Sequence, residues 1–290
     1  MNRVERVMLD DGSTLILKRA NPWVEKYPGI PAPVERSAVE AAFYGAVAGT
    51  EAGAAMPRLI ASDAGTASML LADLAPGADG MTVYAGAIIG DTDLDAIADW
   101  LCALHRLPVP PDHGFANHEM RALNAEHIFD YPLAPDSGFD CDAIVPGLQV
   151  HADRLKSDPA FIAAVQIVKA IYLGDVPGVL LHGDLYPGSW LTTPEGLFVI
   201  DPEFCWVGPR EWDVGVLMAH LKLSGQPDAA ASRLLARYGE TLDTALLSQI
   251  TGIEIMRRLI GVAQLPLPYD LDVRATLLEE ARALVIGNTA

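Results

Sequence analysis

Cysteine is scarce in this 290-residue chain: Cys102, Cys141 and Cys205 are the only three, and their spacing matches no metal-ligand pattern. An odd, scattered set argues against a disulfide framework and for thiols in a reducing compartment. The seven histidines form no HxxxH or HExxH pair, which removes the usual zinc signatures. No apolar run approaches the ~20 residues that a spanning helix needs, and the opening MNRVERVMLDDG has no apolar segment of signal-peptide type. A cytoplasmic protein with no membrane association is therefore expected. Basic residues are in the minority, 20 Lys and Arg against 38 Asp and Glu, for a formal net charge of −18. A field of that sign repels nucleic acid and acidic membranes and would attract a cationic substrate, yet it selects none by itself. No internal repeat or low-complexity run appears. With 51% hydrophobic and 20% charged residues, the chain can bury a proper core.

Chemistry is concentrated in residues 179–215, VLLHGDLYPGSWLTTPEGLFVIDPEFCWVGPREWDVG. Apolar β-type runs at 178–181 and 197–200 flank turn chemistry at 192–196, so a single short hairpin is expected to bring Asp184 and Asp201 to one cavity. Asp184 is then free to orient a hydroxyl, and Asp201 with Glu203 offers the hard oxygen ligands that Mg²⁺ prefers. Ser189, five residues after Asp184, is placed to reach the same metal. Phosphoryl transfer runs through a loose transition state, so a protein has mainly to hold metal, phosphates and acceptor in line. The competing reading is a surface hairpin whose aspartates cap turns, as lone aspartates often do. Several roles met in the right order weigh against it.

The segments HGDL, IDPE and GPREWDVG resemble the aminoglycoside-phosphotransferase and choline-kinase superfamily, and most of all its methylthioribose kinases. Ser189 where most relatives carry Asn, Asp201-Pro202-Glu203 in place of DxD, Gly208-Pro209 and Trp212-Asp213 carry that likeness. Fructosamine kinases are a second relative. The resemblance implies an α+β, protein-kinase-like fold of two lobes: residues 1–75 for nucleotide, and a large helical lobe, 76–290, with the catalytic loop and acceptor site. It implies ATP and Mg²⁺ as cofactors, a small-molecule hydroxyl as acceptor, and Asp184 as the catalytic residue. Lys18 would reach the nucleotide phosphates, held by Glu40 in preference to Glu35, while Ala72, Asp73 and Leu74 would form the hinge against adenine. Trp23 belongs to a substrate-covering loop in this likeness, and Arg257-Arg258 to a twin-arginine motif at the substrate. His182 is expected to brace the catalytic loop and His105 to be structural.

The chain also departs from these relatives. With strands expected at 4–9 and 13–18, no residues are left before them for the first strand and phosphate loop of those relatives, and Tyr186-Pro187 stands where methylthioribose kinases have His-Thr. An antibiotic-inactivating phosphotransferase conferring resistance, and a nucleotide-binding pseudokinase, stay open, as does a homodimer. Strands are expected at 4–9, 13–18, 58–62 and 68–72, with a helix at 34–48 and a breaker-rich linker at 75–80. Helices follow at 93–106, 121–129, 150–156 and 158–173, the last three as an acceptor-binding cap, then at 212–223, 228–238, 243–263 and 273–286.

Overall fold

The computed structural model describes residues 2–25, 27–110, 112 and 114–287. Strands β1 (Asn2–Met8) and β2 (Thr14–Ala20) form a hairpin over Asp10-Asp11-Gly12. The Asp11 carboxylate accepts from both the N–H and the hydroxyl of Ser13, the local bonding that makes Asp a turn residue. A short ribbon, β3 (Trp23–Val24) with β4 (Tyr27–Pro31), leads into α1 (Arg36–Val47) and α2 (Glu51–Ala54). Then come β5 (Leu59–Asp63) and β6 (Ser68–Ala72). The antiparallel sheet runs β1-β2-β6-β5, and no strand precedes β1 among the described residues. α1 buries Phe43, Tyr44 and Val47 at helical spacing, each such side chain contributing ~1.5–3 kcal/mol of transfer energy, and lies against β5 and the sheet.

The remainder is dominated by helices. β7 (Ala78–Asp79) precedes α3 (Asp91–His105), α4 (His118–Ala125), α5 (Leu148–Lys156) and α6 (Pro159–Leu173). Next are β8 (Val179–Leu181), β9 (Trp190–Thr193), β10 (Gly196–Val199) and β11 (Trp206–Gly208). α7 (Glu211–Leu223), α8 (Asp228–Tyr238), α9 (Thr244–Ile260) and α10 (Leu271–Ile286) complete the chain, with α9 packed between α7 and α10.

Three expectations need correction. The runs at 178–181 and 197–200 do not form the two arms of one hairpin. β10 pairs with β9 across the Thr193-Gly196 turn, whereas β8 pairs with β11. The two acidic segments are therefore carried by two neighbouring ribbons. The 75–80 stretch is more than a linker, because Ala78 and Asp79 add a third strand to the β9-β10 ribbon. The helix expected at 121–129 ends at Ala125 and widens into a π-turn at Glu126–Asp130. Pro132, which cannot extend the ladder, sits just beyond it. Beneath the ribbons lies an aromatic cluster in which Tyr172 stacks 4.4 Å from Trp212 and 5.1 Å from Trp206, and the Arg121 guanidinium covers Trp206 at 4.6 Å. Through Trp206 this cluster packs the β8-β11 ribbon against α6 and α7.

Candidate active site

The loop after β8 is built on one buried carboxylate. Asp213, in the first turn of α7, accepts the backbone N–H groups of His182 and Gly183 at 2.7 and 2.9 Å. His105 of α3 meets it with Nε2 at 3.2 Å, while its other ring nitrogen lies 2.8 Å from the Tyr238 hydroxyl. Burial alone would raise the Asp213 carboxyl, but the His105 contact and the backbone donors hold it below the usual carboxylate range. Gly183 has a φ of 90°, and a Cβ there would lie 2.1 Å from the Phe204 carbonyl oxygen, so only glycine closes this turn. The His182 ring donates Nε2–H to the Ile200 carbonyl at 2.9 Å, which bears out its bracing role and ties the loop to the residue before Asp201.

Asp184 follows with its side chain 20% exposed. Its Oδ1 accepts from Nη2 of Arg257 at 3.0 Å and of Arg258 at 3.2 Å. Its Oδ2 has no hydrogen-bond partner among the described residues. Ser189 donates its hydroxyl to the Asp184 carbonyl at 2.8 Å, and its own carbonyl accepts from Ile200 N–H at 2.9 Å. Ser189 therefore couples the loop to the end of β10, with its oxygen lone pairs still available.

A second cluster forms where β2, α1 and the Asp201-Pro202-Glu203 segment meet. Lys18 is buried, donates to Glu40 Oε1 at 2.7 Å and pairs with Asp201 Oδ1. Glu35 instead precedes α1 as its N-terminal cap residue. Glu203 accepts from Asn2 Nδ2 at 2.8 Å and from Arg36 Nε at 3.3 Å, and Asn117 anchors its backbone carbonyl at 3.2 Å. Asp201 adopts a φ of 65°, a left-handed conformation uncommon for a non-glycine residue and often found at functional sites. Ligand oxygens of Glu40, Asp201 and Glu203 lie within 4.8 Å of one another. Burial, relieved in part by Lys18 but reinforced by the Asp201 charge, pushes Glu40 up to about 7, and burial with the Asp201 charge raises Glu203 as well. Withdrawal from solvent would also raise Asp201, but the adjacent ammonium overrides it and holds this carboxyl low. One Glu40 oxygen is buried with no hydrogen-bond partner among the described residues. This set of hard carboxylate ligands fits a Mg²⁺ ion.

Beside this cluster a cavity of about 220 Å³ is lined by Ile16, Leu71 and Leu191, by Ala72, Asp73 and Leu74, and by Lys18 and Asp201. Tyr44, also in its lining, is buried. The Asp73 side chain is engaged by Arg6 Nε at 2.5 Å, which leaves the main chain as the part of this segment able to meet a base. Trp23 is 41% exposed on β3 and makes no hydrogen bond or ring contact with Asp184 or the arginine pair among the described residues. A larger cleft of about 1140 Å³ between α7, α8, α9 and α10 contains none of the anticipated residues.

Four contributors escaped the sequence reading: Asn2, Arg36, Asn117 and Glu254. Glu254 had a usable signal, since it stands three and four residues before Arg257 and Arg258 on one helix. The others meet Glu203 only through long-range folding.

A buried lysine between carboxylates, an apolar slot beside it and a separately braced aspartate on the neighbouring ribbon are arranged on a fold of the two-lobed kinase type. The chain belongs to the phosphotransferase enzyme family, whose sequence profile matches residues 2–247. It is 32% identical over 153 residues to the methylthioribose kinase of Exiguobacterium sibiricum, a match covering 49% of this chain and 36% of that protein. The matched region thus spans about a third of that relative's length. Among solved structures the chain is similar to the ethanolamine kinase of Plasmodium vivax, with a TM-score of 0.56 at 12% identity, covering 98% of this chain and 77% of that one. The choline kinase LicA of Streptococcus pneumoniae gives a TM-score of 0.53 at 14% identity, covering 98% and 89%. At those identities the structural likeness speaks for the fold alone. No helix among the described residues is long and apolar enough to cross a membrane.

Proposed function

We propose that the protein is an ATP- and Mg²⁺-dependent kinase of a small-molecule hydroxyl, with a neutral sugar of the methylthioribose type as acceptor. The observation that carries this reading is the division of labour across two ribbons. Lys18, Glu40, Asp201 and Glu203 gather on one side, and Asp184 with a free carboxylate oxygen stands on the other. ATP would supply the phosphoryl group, and Mg²⁺ held by Asp201 and Glu203, with Ser189 in reach, would offset the phosphate charge. Lys18, fixed by Glu40, positions the nucleotide phosphates. Asp184 Oδ2 receives the acceptor hydroxyl, orients it and takes its proton, and the main chain of 72–74 borders the base slot. The lobes implied by this mechanism are residues 1–75 and 76–290.

Charge at the acceptor side favours a neutral substrate. Arg257 and Arg258 are balanced by Asp184 and Glu254, so this corner holds no surplus anion for a cationic drug. A substrate ammonium there would meet the guanidiniums as well as the Asp184 carboxylate, so it would gain little net attraction. The net charge of −18 is the one observation that favours a cationic antibiotic.

The test is ADP release with MgATP and a panel of methylthioribose, other pentoses, fructosamines, choline and aminoglycosides. Turnover is expected with the thiopentose, and Asp184→Asn should lower kcat by ~10²–10⁴, the usual contribution of a general base, while calorimetry shows unchanged MgATP affinity. Full turnover by that variant would remove Asp184 from the mechanism. MgATP binding with no turnover across the panel would leave a nucleotide-binding pseudokinase.

A further inference from the structure

One buried network is not used by the mechanism above. The carboxylate of Glu254, on α9, receives Nε–H of both arginines: one oxygen pairs with Arg257, and the other accepts from Arg258 at 2.7 Å. It also meets His220 Nε2 of α7 at 3.0 Å, and the opposite nitrogen of that ring lies 2.5 Å from the Tyr84 hydroxyl. Tyr84 belongs to the short 3-10 turn that follows β7, the strand joined to the β9-β10 ribbon. Glu254, His220 and Tyr84 are all buried.

Protonation states along the chain follow from the partners. Burial holds His220 below the usual imidazole range, so the ring is neutral near pH 7 and carries one proton. Glu254 is an acceptor only: burial would raise it, but the two guanidiniums and His220 override that and keep it ionised. The imidazole proton therefore sits on Nε2, and Nδ1 accepts the Tyr84 O–H. His220 thus donates to Glu254 and accepts from Tyr84, and both guanidiniums are gripped from behind by one carboxylate.

The consequence is geometric. A guanidinium held at Nε presents its Nη2 in a fixed direction, and here the two Nη2 groups converge on a single oxygen of Asp184. Without that grip each arginine could pair with either carboxylate oxygen and occlude the one that must receive the acceptor. We propose that Glu254 is the positioning residue that aims Arg257 and Arg258 at Asp184 Oδ1 and so keeps Oδ2 open, with His220 and Tyr84 locking it in register. The proposal rests on Asp184 being the acceptor-side base, and it deepens that reading.

The experiment uses the full-length protein and two variants, Glu254→Gln and Tyr84→Phe, with MgATP and methylthioribose as probes. Glu254→Gln should lower kcat about 100-fold, the cost of a displacement of about 1 Å at the reacting groups, with KM for MgATP within twofold of wild type. Tyr84→Phe should lower kcat about fivefold, the contribution of one hydrogen bond, and the double variant should be no slower than Glu254→Gln alone. In parallel, ¹⁵N-arginine NMR should show two protected, strongly downfield Nε–H signals that are lost in Glu254→Gln and exchange faster in Tyr84→Phe. Unchanged Nε–H signals in Glu254→Gln overturn the proposal, as does loss of those signals with kcat intact. So does a Tyr84→Phe effect that multiplies independently onto the Glu254→Gln effect. Absence of turnover in the wild type would refute the kinase reading alone, and the arginine signals would still decide whether Glu254 grips both guanidiniums.

Discussion

Asp213→Asn is the sharpest test of how the His182-Gly183-Asp184 loop is held, because it changes one atom and leaves shape intact. The carboxylate receives two backbone N–H groups and one imidazole nitrogen, with no solvent to substitute for it. An amide can face only one of the two backbone donors with its oxygen; the other meets an NH₂ group. One charge-assisted bond worth ~1.5–3 kcal/mol is lost, and a buried donor is left unmatched at ~1–3 kcal/mol. A total of about 4 kcal/mol is a large part of the ~5–15 kcal/mol available to a domain. At roughly 2–4 °C per kcal/mol for chains of this size, Tm should fall by about 10 °C, read by scanning calorimetry. The pH dependence gives an independent check. A carboxyl held below its unfolded value of about 3.9 contributes stability that is fully present above that pH and is lost on acidification through the folded value. The variant should lack that component, so its stability should change less than the wild type's below about pH 4. A Tm drop of under 2 °C, or an acid transition identical to wild type, would refute the argument that Asp213 anchors the loop.

Two further outcomes are expected. Gly183→Ala must adopt a left-handed backbone and push a methyl into the Phe204 carbonyl, at ~1–2 kcal/mol for the conformation and ~1–3 for overpacking. Urea denaturation should show a loss of about 3 kcal/mol, and a loss under 1 kcal/mol would mean that the turn relaxes freely. His220, held neutral among the Tyr84 hydroxyl, the Glu254 carboxylate, the Tyr186 ring and the Arg258 guanidinium, contributes stability above the unfolded imidazole value of about 6.5 that is lost as pH falls below it. Tm should decline between pH 6.5 and 5.5 more steeply in the wild type than in His220→Asn, and equal slopes would contradict a buried neutral ring.

Local chemistry accounts for what could be read from residues alone. Apolar periodicity located every long helix, and Asp10-Asp11-Gly12 located the first hairpin, because both signals are complete within a few residues. The motifs HGDL and DPE likewise located the two acidic segments, and Glu40 was preferred to Glu35 as the partner of Lys18. Strand partners could not be read this way. The run at 178–181 is equally apolar whether it pairs with 197–199 or, as found, with 206–208, so the choice depends on contacts made outside the run.

The sequence by itself determined the class of chemistry, since side chains able to bind a divalent cation and orient a hydroxyl, set in turn-forming contexts, are properties of short segments. Tertiary structure decided which of those groups touch. Arg36 reaches Glu203 across 167 residues, Tyr84 reaches His220 across 136, and both arginines meet Asp184 across more than 70. Such contacts depend on loop closure and on burial that forces every polar group to find a partner, and neither is written in any local stretch of chain.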